Sequence, residues 1–577
     1  MWALLADRLG AILAAHGQIA NEYPFWYGLY FVGVAAGVIA AVVLLWRDRA
    51  PQAFWCIIGA IVVSFAFSWG DDSYTHIYRI AALADQVRTN SYSAFLSSPT
   101  TGEGVPTFVF YGHASYVVPV VLDLLGFSAA YAFKIWMVLL FLIMAIGVHV
   151  LLSVVGPSGQ SRTRFFTAAI LFISANYVFS LWCSRASLGE VWVYIFMPWV
   201  VASALRPDGG RWLTFFLFLQ ICGHPIVLAQ SLVAEALAVW CLSGLMVLGV
   251  ARRTLPALLA AILLGIPFWL PQAIWQGAIL GPQALPVKFA DSFLTIPDML
   301  RIQHIRTIGL WLPLAVVMVA FLTGNRLSKR FWLPVLIAAV ATALETRPLA
   351  PVASHIPTLD LSLFVWRLAL PVAFILFAAL VVGLREARET SPRGLVTVAT
   401  LGVMTMTFVL VQSTPHPEAP LGREWREDRY VLQNFDRYDG GIWGVREYWP
   451  RYDRTTTDCE VSAAARVSYR DLQAGVEAKA PYFLVRHGPV GLVDYVANGI
   501  LIRPRACGED LILGPLPVGA RVAVSEGRMN WLSLMRAVDF LLALLMILFL
   551  GRHIGLVRDR TAGMPVVGRL RPRTRDR

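Results

Sequence analysis

Apolar runs of about 15 to 25 residues recur along almost the whole chain, and short arginine clusters punctuate every second junction between them. No other feature constrains the fold as much. A helix of about 20 apolar residues matches the ~30 Å hydrocarbon thickness of a bilayer. Of the 577 residues, 57% are hydrophobic and 15% charged, whereas soluble proteins carry about 25% charged residues. The chain therefore reads as an α-helical polytopic membrane protein. Its net charge of +12 would otherwise suggest nucleic acid. The basic residues, however, are dispersed between apolar runs, as in cytoplasmic loops under the positive-inside rule. Membrane lipid is the expected partner, and nucleic acid is not.

The runs place spans at 26–46, 53–69, 131–154, 165–182, 190–205, 212–222, 226–250, 255–270, 308–322, 331–344, 363–384, 395–411 and 531–550, about thirteen in all. Arg47 and Arg49, Arg162 and Arg164, Arg206 and Arg211, Arg252 and Arg253, Arg326 with Lys329 and Arg330, Arg385 with Arg388 and Arg393, and Arg552 then fall on one side, the cytoplasmic one. Residues 1–23 read as an interfacial amphipathic helix with no cleaved signal peptide. The N-terminus is expected outside and the C-terminus inside. Residues 70–128 form a large first extracytoplasmic loop. Within it, 115–128 is too short for a full span and suits a re-entrant or interfacial helix.

Three parts follow: a membrane domain over 1–412, a soluble extracytoplasmic segment over 413–530, and a last span with a basic cytoplasmic tail over 531–577. The middle part has strand-like runs near 465–469, 482–485, 500–502, 511–513 and 521–524, separated by Gly and Pro turns. It reads as a small β-rich module. Cys459 and Cys507 both lie in it, and an oxidising compartment would allow one disulfide between them. Cys56, Cys183, Cys222 and Cys241 lie in or beside spans as packing residues.

The stretch from Trp69 to Arg79 sits where the second span meets water. If the chain turns helical after Asp72, then Asp72, His76 and Arg79 share one face. The bland alternative makes Asp72 a helix cap and Arg79 a snorkelling cation. Lys134, Arg185, Glu190, His224, Glu345, Arg347 and Arg367, with Arg301, His304 and Arg306, fall at the same outer side. Together with Asp71 and Asp72 they suggest a site with carboxylates for a base or metal and cations for a phosphate. Glu235 lies mid-span, where a hydrogen bond to a neighbour or proton coupling would account for it. No P-loop, dinucleotide fingerprint or nucleophile elbow is present.

The chain resembles a family of large bacterial polytopic membrane proteins known as 6-pyruvoyl-tetrahydropterin-synthase-related, which are similar to GT-C glycosyltransferases. The name implies no pterin chemistry. The resemblance rests on five blocks. Asp72, His76 and Arg79 form the first, with Asp71 in place of the usual Gly. Phe108 to Gly112, continuing through Leu124 to Ser128 and Tyr131 to Lys134, forms the second, with Gly112 replacing a Pro. The others are Arg185 with Glu190, Trp366 with Arg367, and Glu447 to Pro450. His224 and Pro225 stand where the family often has His-Asn.

The resemblance implies a GT-C-like membrane fold. It also implies transfer of a sugar from a polyprenyl-phosphate-linked donor to a cell-envelope glycan or lipid, on the extracytoplasmic side of a bacterial cytoplasmic (inner) membrane. Such a transferase of cell-envelope polysaccharide biosynthesis needs a carboxylate to take the acceptor's proton. It also needs a cation or metal to stabilise the phosphate leaving group. Asp72 is the expected base, with Asp71 behind it, and His76 and Glu190 orient or ligate. Arg79, Lys134, Arg185, His224 and Arg367 would bind lipid phosphate or sugar. Trp443, Tyr448 and Trp449 would stack on an acceptor glycan. Magnesium or manganese held by Asp71 and Asp72 would relieve their repulsion, though the sequence does not require it. The competing readings are a lipid-linked glycan transporter or flippase and a non-catalytic envelope scaffold.

Overall fold

The computed structural model describes residues 24–65, 70, 72–89, 96–97, 104–105, 112, 114–156, 161–275, 289–301, 306–323, 327–356, 364–387, 392–413, 464–486, 493–507 and 510–525, with positions 537, 538 and 541. Among them, seven helices are long and apolar enough to cross a membrane, or eight if one bent pair counts as a single span. They are Gly28–Trp46, Ala129–Val155, Leu188–Leu205, Pro225–Ser243, Val247–Leu264, Val365–Glu386 and Arg393–Val411. Ala50–Phe65, Ala114–Leu124 and Trp311–Thr323 are shorter and apolar. The expected helices at 1–23 and, but for three positions, 531–550 lie outside the described residues.

Val365–Glu386 is the axis of the bundle. It is 94% buried, against 18% for Val247–Leu264, and packs on Lys329–Leu344, Pro225–Ser243, Trp311–Thr323 and Ser161–Ile173. Peripheral helices point apolar side chains outward, as at Phe321, Met246 and Leu263, which is the pattern of a lipid-facing surface. The first two helices approach closely at Gly37, where a Cβ would lie 3.0 Å from Ala60 Cβ. Small residues permit this contact where lipid removes the hydrophobic drive between helices.

One expected span is interrupted and two others differ from the sequence reading in detail. The 165–182 run forms Ser161–Ile173 and Asn176–Ser180 and continues as a π-helical turn, Leu181–Arg185, with a 58° bend between its halves. The bend frees the Tyr177 N–H, which donates to the Thr307 carbonyl at 2.9 Å and so escapes a buried orphan. The 190–205 run is kept as the single span Leu188–Leu205, with a two-residue turn between Leu188–Tyr194 and Met197–Leu205, the latter opened by Pro198. The expected 226–250 span ends at Ser243. Gly244 takes φ +74° there, a left-handed stop that glycine adopts without strain. Arg252 and Arg253 consequently lie inside the Val247–Leu264 helix and not in a loop.

Hydrogen bonds join neighbouring helix ends: Thr163 Oγ1 donates to the Asp48 carbonyl at 3.2 Å, Ser328 N–H donates to Glu386 at 2.9 Å, and Arg330 donates to the Gly244 carbonyl. Arg185, Glu190 and Arg367 meet in an ion-paired group of their own.

The β region folds around its own core of Tyr469, Leu472, Phe483, Val485, Tyr495, Leu511, Leu513 and Val522. Its strands follow β1 (Leu96–Ser97) and β2 (Gly104–Val105), an antiparallel pair in the first loop. They are β3 (Ala464–Val467), β4 (Val476–Glu477), β5 (Tyr482–Arg486), β6 (Asp494–Ala497), β7 (Ile500–Ile502), β8 (Arg505–Cys507), β9 (Asp510–Leu513) and β10 (Arg521–Ser525). They make two four-stranded sheets, ordered β4-β10-β6-β7 and β3-β5-β9-β8. All pairs are antiparallel except β3 with β5. A short helix, Tyr469–Ala474, starts on a reciprocal cap between Ser468 and Asp471. Cys507 is disulfide-bonded, while Cys459, its expected partner, lies outside the described residues.

Candidate functional site

The site begins where the chain leaves Ala50–Phe65. Gly70 lies so close to the Arg185–Ala186 backbone that a Cβ would come within 2.5 Å of the Arg185 carbonyl carbon. Asp72 N–H donates to the Arg185 carbonyl at 2.9 Å. These contacts fix the first loop against the end of the bent pair, where Ala186 holds φ 55°, a left-handed conformation that is uncommon outside glycine. Asp72 occupies the cap position of the Ser73–Arg88 helix, yet its side chain makes no capping hydrogen bond. Its carboxylate instead faces the Arg185 Nε at 3.5 Å, with 40% of the side chain exposed.

Behind Arg185 lies Glu190, fully buried. It accepts from Arg185 Nη2 at 2.9 Å, from Arg185 Nη1 at 3.2 Å and from Arg367 Nε at 2.7 Å. Tyr177 Oη bridges the two, receiving Arg185 Nη1 at 3.3 Å and reaching Glu190 at 3.5 Å. Arg367 is held from behind, since its carbonyl accepts from Tyr194 Oη at 2.9 Å. Both guanidiniums lie over the Phe364 ring, at 5.5 and 5.0 Å from its centroid. Phe364 stacks on Trp366 at 4.5 Å, and the exposed Arg306 covers Trp366 at 4.3 Å. A column of cations and aromatic faces results.

The other side of the site is built on Tyr116. Its hydroxyl receives His76 Nδ1 at 2.6 Å and Arg79 Nη1 at 3.1 Å. The Leu188 N–H donates to His76 Nε2 at 3.0 Å, so Nε2 carries no proton and Nδ1–H is the donor. Burial, then the Arg79 and Arg185 charges, hold His76 well below the usual imidazole range. His76 is therefore a neutral brace with both ring nitrogens engaged. Tyr116 stays protonated, pushed up to about 12 mainly by burial.

The expected shared face of Asp72, His76 and Arg79 is what the Ser73–Arg88 helix presents to Tyr116 and to the 185–188 turn. Asp72, Arg185, Glu190 and Arg367 come together. His224, at the start of Pro225–Ser243, is close enough for its imidazole to be held below its usual range by burial and then by the Arg367 charge, with Arg185 and Arg79 adding and Glu190 opposing. Lys134 takes a different place: its Nζ donates to the Phe65 carbonyl at 2.7 Å and holds a helix end. Glu345 is buried and takes no part in the ion pairs of the cluster; its carbonyl accepts from the Leu294 N–H at 2.9 Å. Asp71, His304, Trp443, Tyr448, Trp449 and Cys459 lie outside the described residues. Tyr116, Tyr177 and Phe364 belong to the site without having been singled out from sequence, whereas Arg306 was among the expected outer-side cations. The available signals were a tyrosine in a helix too short to span, an Asn-Tyr pair within an apolar run, and a Phe two residues before Trp366.

The guanidiniums of Arg185 and Arg367 face Glu190, Arg185 also faces Asp72, Arg79 is held on Tyr116 beside His76, and Arg306 adds a fourth cation over Trp366. The cluster suits an anion such as a phosphate. Among the described residues, no group of three or more His, Cys, Asp or Glu side chains could hold a metal ion. Asp72 faces the Arg185 guanidinium, whose positive charge opposes a metal cation at that carboxylate. No family profile matches the chain, and no curated protein matches it.

Proposed function

We propose that the chain is a GT-C-type glycosyltransferase that moves a sugar from a polyprenyl-phosphate donor to an envelope glycan or lipid acceptor. One observation carries the reading. Three segments of the resemblance, around residues 72–79, 185–190 and 366–367, are far apart in sequence and meet in one ion-paired cluster at the ends of apolar helices. The remaining short helices and the 531–550 run would complete about thirteen spans. The arginine-rich helix ends would face the cytoplasm of a bacterial inner membrane, with the cluster and the β module outside.

In this reading Asp72 is the catalytic base. The acceptor hydroxyl oxygen attacks the anomeric carbon and gives its proton to the Asp72 carboxylate. The bond from that carbon to the phosphate oxygen breaks, and polyprenyl phosphate leaves with the electron pair. At 3.5 Å, Asp72 is the outermost and longest partner of Arg185. An arriving phosphate would take over Arg185 and release Asp72 toward the hydroxyl, so donor binding would ready the base. Glu190 is a positioning residue that holds the two guanidiniums over the Phe364 ring.

A transporter would need polar groups lining a path through the spans, for which the mid-span Glu235 is the candidate. It is bonded to Gln220, which weakens a transport reading. The test is transfer from a radiolabelled polyprenyl-phosphate sugar, together with the envelope glycan profile, for Asp72→Asn and Asp71→Asn. Asp72→Asn should insert normally and lose roughly 10²- to 10⁴-fold in transfer. Wild-type transfer by both variants overturns the base assignment.

A further inference from the structure

We propose that Glu235 carries a proton and donates it to Gln220, forming a neutral carboxylic acid–amide pair inside the membrane. Glu235 lies near the middle of the apolar Pro225–Ser243 helix and is 2% exposed. Gln220, near the end of Gly210–Ile221, is fully buried. Its Nε2 donates to Glu235 Oε1 at 2.5 Å and to the Val193 carbonyl at 3.0 Å. Both amide hydrogens are then used. The amide cannot be turned over, because its oxygen would then face the Val193 carbonyl.

This leaves Glu235 Oε2 and Gln220 Oε1, both buried and both without a hydrogen-bond partner. Two orphan acceptors in hydrocarbon are costly, and a buried carboxylate without a cation is costlier. Among the described residues, Gln220 is the one side chain that acts on Glu235, so no cation offers compensation. One proton resolves both deficits. Nitrogen and oxygen share a carbon in Gln220, as the two oxygens do in Glu235. A twist of the carboxyl about its terminal bond turns Oε2–H toward Gln220 Oε1 and closes a ring of two hydrogen bonds. The proton then joins two helices, and the second amide hydrogen of Gln220 ties the pair to a third through the Val193 carbonyl. Val193 is three residues past Glu190, and the neighbouring Trp192 Nε1 donates to the Leu219 carbonyl at 2.6 Å. The proton site therefore backs the helix that positions Glu190.

The experiment is infrared difference spectroscopy of the full chain in lipid nanodiscs at neutral pH, wild type minus Glu235→Gln. Gln can keep both hydrogen bonds, so this variant should fold. The expected result is loss of one protonated-carboxyl C=O band that shifts down in deuterium oxide and is unchanged when sodium is replaced by choline. Loss of a carboxylate band, or a C=O band that emerges only when sodium is removed, overturns the proposal, the latter in favour of a bound cation. Gln220→Leu, with Glu235 intact, is read alongside it. The band should move up to the position of an acid without a hydrogen bond, and an unmoved band excludes Gln220 as the partner.

Discussion

Glu190 and Glu235 are both buried glutamates on apolar helices of one bundle, and the bundle accommodates them in opposite ways. Glu190 lies near helix ends, where Arg185 and Arg367 can keep their charged heads toward one another and their stems in the bilayer. Glu235 lies mid-helix, where its neighbour is an amide. A carboxylate near a helix end can be balanced by cations that reach it from an aqueous edge. One in the middle must be neutralised where it stands. The contrast locates the charged chemistry of the molecule at one end of the bundle and leaves its middle electrically quiet.

The sharpest way to break the comparison is to remove each carboxylate charge in turn. Glu190→Gln removes the carboxylate shared by the buried Arg367 and by Arg185, leaving Arg185 its longer contact with Asp72, and should cost about 3–5 kcal/mol of stability. Glu235→Gln, which can keep its hydrogen bonds, should cost less than about 1 kcal/mol. Thermal unfolding in nanodiscs measures both, and equal losses would remove the distinction. A smaller effect concerns acid. His76 and His224 are held neutral in the folded chain, below their ordinary value of 6.5. The unfolded chain therefore binds more protons below that pH, and stability should fall as pH drops through 6.5, by up to about 1.4 kcal/mol per pH unit for each histidine. His76→Asn should lower stability overall and flatten this limb, whereas an unchanged slope would show that His76 is not the titrating group. The least effect is expected for Asp72→Asn. Its exposed pair with Arg185 should be worth under about 1 kcal/mol, so unfolding should barely move while transfer collapses. A large loss of stability would recast Asp72 as structural.

The membrane character was legible from run length and arginine placement, because both are set by the bilayer and read along a single helix. The bend at Ser174, the turn after Tyr194 and the helix stop at Gly244 were not, since each depends on a distant acceptor such as the Thr307 carbonyl or on tight turns hidden inside apolar runs. In the β region the runs at 465–469, 482–485, 500–502, 511–513 and 521–524 were visible. β4, β6 and β8 were missed because they are short or polar and are held by neighbours in the sheets. Within the site, the shared face of Asp72, His76 and Arg79 followed from helical spacing. The brace role of His76 did not, because it needs Tyr116 and the Leu188 N–H, and spacing does not reveal which atoms a ring nitrogen will meet. Lys134 could not be separated from the arginines by charge alone; the carbonyl it caps is a property of helix ends in space.

Gly70 fits against Arg185 and Ala186 with no room for even a methyl group. The loop that carries Asp72 and the turn that carries Arg185 therefore share one thickness of backbone. An insertion or deletion on either side would be transmitted to the other without slack, and the distance between carboxylate and guanidinium would change with it. Two stretches more than a hundred residues apart in the chain are in this sense a single gauge, and their lengths are free to drift only together.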